Sequence, residues 1–375
     1  MSRSARRHSG SGWWVALGVA GATVLAGCDD PGIATVTIDD DGLTCDLDAS
    51  FLADGGVGRD GIPALTNPTF LPAEPRVDAT SYFLPTDRVI GYWNNGEWLV
   101  IPHNIMWRHE IVNLPEVTIT YCPLTGSALA FARSSVGGAE FGVSGLLYNA
   151  NLILYDRTQP EASFWPQMLG EARCGPRTGQ ELTRVPVFEM TAEAWFELHP
   201  DSKVLAITPD MFDPALYFFS PYGTAYENPH NPDYLGFPMT LDERRPPKER
   251  VLGIPRDGAP ALAYPFLAMD AVGTSAVFEF EHEGTPAVVL WDGVRRSAMA
   301  FESAVNAQAT TFRATGSGFV DSATGTTWTV DGSAVAGPLA GGGTRLRAVP
   351  SAYVAFWGSW AAFHPNTELA VTGGA

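Results

Sequence analysis

Apolar and polar positions alternate in short stretches along most of the chain, and turn residues bound those stretches. Residues 88–92 and 98–101 flank Asn94-Asn95-Gly96, the pattern of a β-hairpin. Residues 117–121, 129–132, 152–155, 287–291 and 319–321 predict further short strands. A period nearer 3.6 predicts helices over 102–112, over 191–198 with Thr191 as N-cap, and over 352–363. These elements predict an α+β, strand-rich fold with a few short helices.

Self-similarity organises the pattern. Asn67-Pro68-Thr69-Phe70-Leu71 recurs as Asn231-Pro232-Asp233-Tyr234-Leu235, and Asp87-Arg88-Val89-Ile90-Gly91 as Glu249-Arg250-Val251-Leu252-Gly253. Ser127-Ala128-Leu129-Ala130-Phe131 recurs as Ser297-Ala298-Met299-Ala300-Phe301. Trp165 matches Trp328, Gly175-Pro176 matches Gly337-Pro338, and Trp195-x-x-x-His199-Pro200 matches Trp360-x-x-x-His364-Pro365. Six anchors in one order, at offsets of 162 to 170, predict two tandem pseudo-repeats of about 150 residues, over 60–223 and 224–375, as a pseudo-twofold pair of units. What both copies keep reads as structure. His199 and His364 fall in that class, as imidazoles capping the last carbonyls of a helix.

The N-terminus is patterned differently. Arg3, Arg6 and Arg7 precede an apolar run over 13–26, too short to span a bilayer and suited to an export signal. The run ends Leu25-Ala26-Gly27-Cys28, which resembles the lipobox of bacterial lipoproteins. That resemblance implies cleavage of a signal peptide at 1–27, acylation of Cys28, and lipid anchoring in the bacterial cell envelope on the extracytoplasmic side of a membrane. Residues 28–59, with Asp39-Asp40-Asp41-Gly42 and Gly55-Gly56, read as an acidic tether.

Composition changes the picture in two ways. The chain of 375 residues carries 41 acids against 23 bases, a formal charge of −18, which disfavours nucleic-acid binding. Gly 39 and Pro 29 exceed average usage and disfavour a helical bundle. With Cys28 acylated, Cys45, Cys122 and Cys174 remain, so at most one disulfide closes among them and its pairing is open.

Chemistry is sought where the copies differ. Cys122 stands opposite Asp292, at a strand end where Pro123 opens a turn and free N–H groups would lower a thiol pKa. His103, His109 and Glu110 have no counterpart in Tyr264-Pro265-Phe266-Leu267-Ala268-Met269-Asp270. On a continuous helix, His103 and Glu110 would share a face.

Arg59-Asp60-Gly61-Ile62-Pro63-Ala64-Leu65, His109-Glu110-Ile111-Val112-Asn113, Thr120-Tyr121-Cys122-Pro123-Leu124, the run from Phe141-Gly142-Val143 to Leu147-Tyr148-Asn149, Tyr155-Asp156-Arg157 and Pro246-Pro247-Lys248-Glu249-Arg250-Val251 together resemble the family catalogued as domain of unknown function 3179. The resemblance covers nearly all of the chain after the tether. It implies no established activity, and carries over His109, Glu110, Cys122, Asp156, Arg157, Trp165 and Gln167 as motif residues. Proteins like it often have a second Cys where Thr125 stands here, so a dithiol cycle at this motif is broken.

Three readings follow. Cys122 and His109 could ligate a transition metal or haem, with Asp156, Arg157 and Gln167 around a small ligand. Cys122 could be a nucleophile, with His109 as base and Glu110 or Asp156 orienting it. The third is a non-catalytic binding or structural module of the cell envelope, in which Cys122 is a buried small apolar residue and His109 a satisfied core donor, its partner a small ligand or an envelope protein.

Overall fold

The computed structural model describes residues 34–38, 41–73, 82–158 and 161–371. The leader, Cys28 and most of the acidic run at 39–41 lie outside the described residues. Among those described, no helix is long and apolar enough to cross a membrane.

After a hairpin of Ala34–Ile38 and Asp41–Cys45, the first half runs through Leu52–Asp54 (β1) to the expected hairpin of Arg88–Asn94 (β2) and Glu97–Pro102 (β3). The chain then turns into a two-turn helix, His103–His109 (α1), and a meander of Ile111–Asn113 (β4), Val117–Cys122 (β5) and Ser127–Ala132 (β6). A second meander follows: Phe141–Tyr148 (β7), Asn151–Asp156 (β8) and Phe164–Pro166 (β9), with β1 added to the free edge of β7. The half closes with Phe188–Thr191 (β10), helix Ala192–Leu198 (α2) and Lys203–Leu205 (β11). β10 pairs antiparallel with β2, and β11 parallel with β3.

The second half runs through a similar order of elements, without a counterpart to β1 and with an added hairpin of Ala304–Val305 and Gln308–Ala309. Arg250–Ile254 (β12) and Leu262–Pro265 (β13) lead into Phe266–Val272 (α3), then a meander of Ser275–His282 (β14), Thr285–Asp292 (β15) and Ser297–Glu302 (β16). Phe312–Thr315 (β17), Gly318–Asp321 (β18) and Thr327–Trp328 (β19) form its second meander. Tyr353–Phe356 (β20), Trp357–Phe363 (α4) and Glu368–Leu369 (β21) return to the hairpin with the same two pairing directions. The fold is α+β and strand-rich, as expected.

Strand alternation sends one face of each hairpin sheet to its own half and the other face across to the partner half. Ile90, Leu99 and Ile101 pack with Ile119 and Tyr121 inside the first half. Val89, Val100, Met190 and Trp195 instead pack with Val288, Phe301 and Trp328 of the second. Reciprocally, Val251, Phe356, Trp357 and Trp360 join Cys122, Phe131 and Trp165 in the first half's other core. Hydrogen bonds cross in the same reciprocal way. Phe356 N donates to Thr125 O at 2.9 Å and Thr191 N to Arg295 O at 3.4 Å.

Four expectations need correction. Residues 44–59 are not a free tether: Cys45 and Leu47 are buried, Cys45 is bonded to Cys174, and β1 extends a sheet. Helix α1 stops at His109 because Glu110 adopts a left-handed conformation, φ 56°, and starts β4. Helix α4 begins at Trp357, since the apolar residues of β20 pair with β12. His199 and His364 sit just beyond their helices; their Nε2 atoms face Asp331 and the Tyr353 hydroxyl rather than carbonyls.

Candidate functional site

Helix α1 and strand β5 deliver the sequence-predicted residues to different places. His109 ends α1 with both ring nitrogens engaged, Nδ1 at 2.7 Å from the Pro63 carbonyl and Nε2 at 2.6 Å from the Tyr217 hydroxyl. Burial holds its pKa below the ordinary value. It therefore neither serves Cys122 as a base nor has a free nitrogen to share a metal with it. Among the described residues, no group of three or more His, Cys, Asp or Glu could hold a metal ion.

Cys122 closes β5 on the face turned to the second half, fully buried and free, its Sγ 3.9 Å from the Ala150 carbonyl. Burial, with the nearby Glu110 carboxyl, pushes the thiol up to about 11. This reverses the expected lowering: the desolvated environment outweighs the turn's N–H groups, and a nucleophile needs the opposite.

Asp156 and Gln167 are interior ties rather than ligand groups. Asp156 accepts from the Trp165 indole N–H at 3.0 Å and from two backbone N–H groups, as Asp321 does for Trp328 at 2.9 Å. Gln167 accepts from Ser127 Oγ and Asn151 Nδ2 and donates to Thr120 Oγ1 and the Ser127 carbonyl. Thr125, at the missing Cys position, joins the same network through Ser127 and Asn151. Arg157 lies at the surface and pairs with Asp60 at 2.9 Å and Glu140 at 3.6 Å, not with Asp156.

Glu110 is different. Its left-handed backbone is fixed on both sides, N–H to Met106 O and carbonyl to Tyr121 N, and turns the side chain away from the helix. The carboxyl is buried, and no hydrogen bond or ion pair reaches it among the described residues. Burial alone pushes its pKa up to about 8, so at neutral pH it is largely a carboxylic acid able to donate.

This acid faces a cavity of about 160 Å³. Ile62, Leu124, Val143, Leu147 and Leu152 form apolar walls, and Tyr222, Leu235 and Phe237 close it from the irregular chain that links the halves. One wall is backbone. At Gly145, φ 84°, the pairing of β7 with β8 shifts register, and a Cβ there would lie 2.7 Å from Gly58. The bulge brings the chain close enough for Gly55 N to donate to Gly145 O at 2.8 Å. A larger cleft of about 460 Å³ between the halves is lined by His282, His364 and Arg184, but Arg184 is already held by the carbonyls of Met168 and Ser351.

Of the predicted residues, the structure thus brings Glu110 and Cys122 together and leaves His109, Asp156, Arg157 and Gln167 apart from them. Sequence reasoning missed Tyr222, Leu235 and Phe237. They lie about 100 residues further on, in a stretch without periodicity, and no local signal ties them to Glu110.

Against known proteins, a family model described as a protein of unknown function (DUF3179) matches residues 59–367. The chain belongs to this family. Neither the curated proteins nor the solved structures yield a match.

Proposed function

Membership in a family defined by sequence and not by activity leaves function to be argued from the site, and we propose that this is an exported, lipid-anchored protein of the bacterial cell envelope that binds a small apolar molecule bearing one hydrogen-bond acceptor. The observation that carries the binding reading is the Glu110 carboxyl, buried without a partner against an apolar cavity. A protonated acid there offers one O–H, and an unmatched polar group in an apolar pocket selects ligands that complete it. The volume is close to that of apolar cavities that take up benzene, so the ligand is about one ring in size.

Support for export is of two kinds. The leader and Cys28 have the lipoprotein pattern. The Cys45–Cys174 bond is of a kind that persists in oxidising compartments and is rare in the cytosol. A second reading, acid–base catalysis by Glu110, is favoured by its pKa of about 8, near the operating range of a general acid.

The test compares two ring-sized probes, acetophenone with a carbonyl acceptor and ethylbenzene without one, by chemical-shift perturbation on residues 29–375. Acetophenone is expected to bind at least tenfold more tightly at pH 6.5, with the advantage shrinking above pH 8 as Glu110 ionises. In Glu110→Leu the two probes should bind alike. Equal binding of both probes by the native protein at pH 6.5, or no binding by either, would remove the reading.

A further inference from the structure

At corresponding places the two halves treat the same buried position oppositely. In the second half, Phe266 at the start of α3 packs edge-on against Trp291 of β15, ring centroids 4.8 Å apart, with Val354 of β20 nearby in sequence register. Arg296 covers both rings and is itself paired with Asp270. The first half has His103 for Phe266, Tyr121 for Trp291, Glu189 for Val354 and Gly126 for Arg296. The fold is built equally well with apolar residues at three of these positions, so it does not require the polar ones.

Nor are the polar ones satisfied. His103, Tyr121 and Glu189 are 2%, 0% and 6% exposed. The Tyr121 hydroxyl lies within reach of the Arg250 guanidinium but donates to no acceptor, and His103 Nε2 lies 3.1 Å from Glu189 Oε2. Arg88 Nε and Nη2 are also unmatched, with Glu189 Oε2 at 3.8 Å from Nε. By contrast Arg250, which corresponds to Arg88, pairs with Glu227 at 2.6 Å.

We propose that Arg88, Tyr121 and His103, with Arg250 beside them, form a binding site for a small oxyanion. Nε and Nη2 make up one edge of the Arg88 guanidinium, the edge that holds two oxygens of a carboxylate or phosphate side by side. Both are obligate donors, and the Tyr121 hydroxyl adds a third, against one unmatched carboxylate oxygen that already faces His103. The deficit is therefore of acceptors. Gly126 has no side chain to cover Tyr121 as Arg296 covers Trp291; the Phe356 ring fills that space, and Arg250 Nη1 donates to the Gly126 carbonyl at 3.4 Å. The Arg88 and Arg250 side chains retain 12% and 13% exposure, while Arg88 Nε and Nη2 themselves lie beneath the surface.

The experiment is calorimetric titration of residues 29–375 with sodium phosphate, sodium acetate and sodium succinate at fixed ionic strength, with chloride as the reference salt. Saturable binding of phosphate alone assigns a phosphoryl ligand, and binding of acetate or succinate alone a carboxylate. Either is the expected result, with at least tenfold weaker binding in Tyr121→Phe and in Arg88→Met. Tyr121→Phe deletes only a hydroxyl that donates to no acceptor, and Arg250 keeps its pairing with Glu227, so the variant should fold as the native chain does by circular dichroism. The proposal is overturned if none of the three anions binds more tightly than chloride, or if folded Tyr121→Phe binds as the native protein does.

Discussion

Glu110 ties stability to pH with a definite sign. In the unfolded chain its carboxyl ionises near the ordinary value of 4.5, whereas burial keeps the proton on in the fold until about 8. Between those values the unfolded state holds fewer protons, so this group makes stability fall as pH rises, by up to about 1.4 kcal/mol per unit, and the fall ends above pH 8. Urea unfolding of the native protein and Glu110→Gln at pH 4.5, 6.5 and 8 isolates the effect. The variant should be nearly equal to the native protein at pH 4.5 and progressively the more stable one toward pH 8; a difference that does not grow with pH would mean that the carboxyl is not held as the acid. Glu110 and Cys122 were legible in the sequence because the second half lacks them. Their chemistry was not, because a pKa is set by what surrounds a group, and the walls around both come from distant segments. Asp156 shows the converse: the sequence offered it as a candidate ligand or orienting group, yet its carboxylate holds an indole, as that of Asp321 does.

At the scale of elements, each hairpin is locked by a helix through a glycine. Gly91 in β2 lies under the Trp195 ring of α2, where an added Cβ would stand 1.7 Å from the indole, and Gly253 in β12 lies likewise under Trp360 of α4, at 2.2 Å. Each indole N–H is anchored seven residues on, to Ser202 and Thr367, so the ring has little room to retreat. Gly91→Ala should therefore cost about 3 kcal/mol or more, at the upper end of overpacking effects, while Gly316→Ala, with nothing near its Cβ, should change stability by under about 0.5 kcal/mol. Thermal melts of the two variants decide it, and equal melting points would contradict the lock. The hairpin and α2 were readable because Asn94-Asn95-Gly96 and the Thr191 cap are local signals, and Thr191 Oγ1 does accept from Ala194 N. The end of α1 was not. A left-handed glutamate carries no mark in the sequence, and the apolar spacing runs on unbroken from the helix into β4.

The whole molecule is held by what the halves exchange. We propose that they are two copies of one unit, as the recurring anchors suggest, and on that view each has given up a complete core of its own. Trp195 and Met190 of the first half are buried against Phe301 and Trp328 of the second, while Phe356, Trp357 and Trp360 of the second are buried against Phe131 and Trp165 of the first. A repeat period could reveal the units but not this exchange, because spacing along the chain says nothing about which face of a sheet meets which copy. Separated, each fragment would expose an indole-rich face that water solvates poorly. Residues 29–223 and 224–375 made alone should thus bind the dye ANS and melt without a cooperative transition. Mixed or co-expressed, they should associate one to one and recover a single sharp transition. The disulfide lies wholly within the first fragment and so cannot supply that association. If either fragment alone unfolds cooperatively and leaves the dye unbound, the crossed cores are not what holds the protein together.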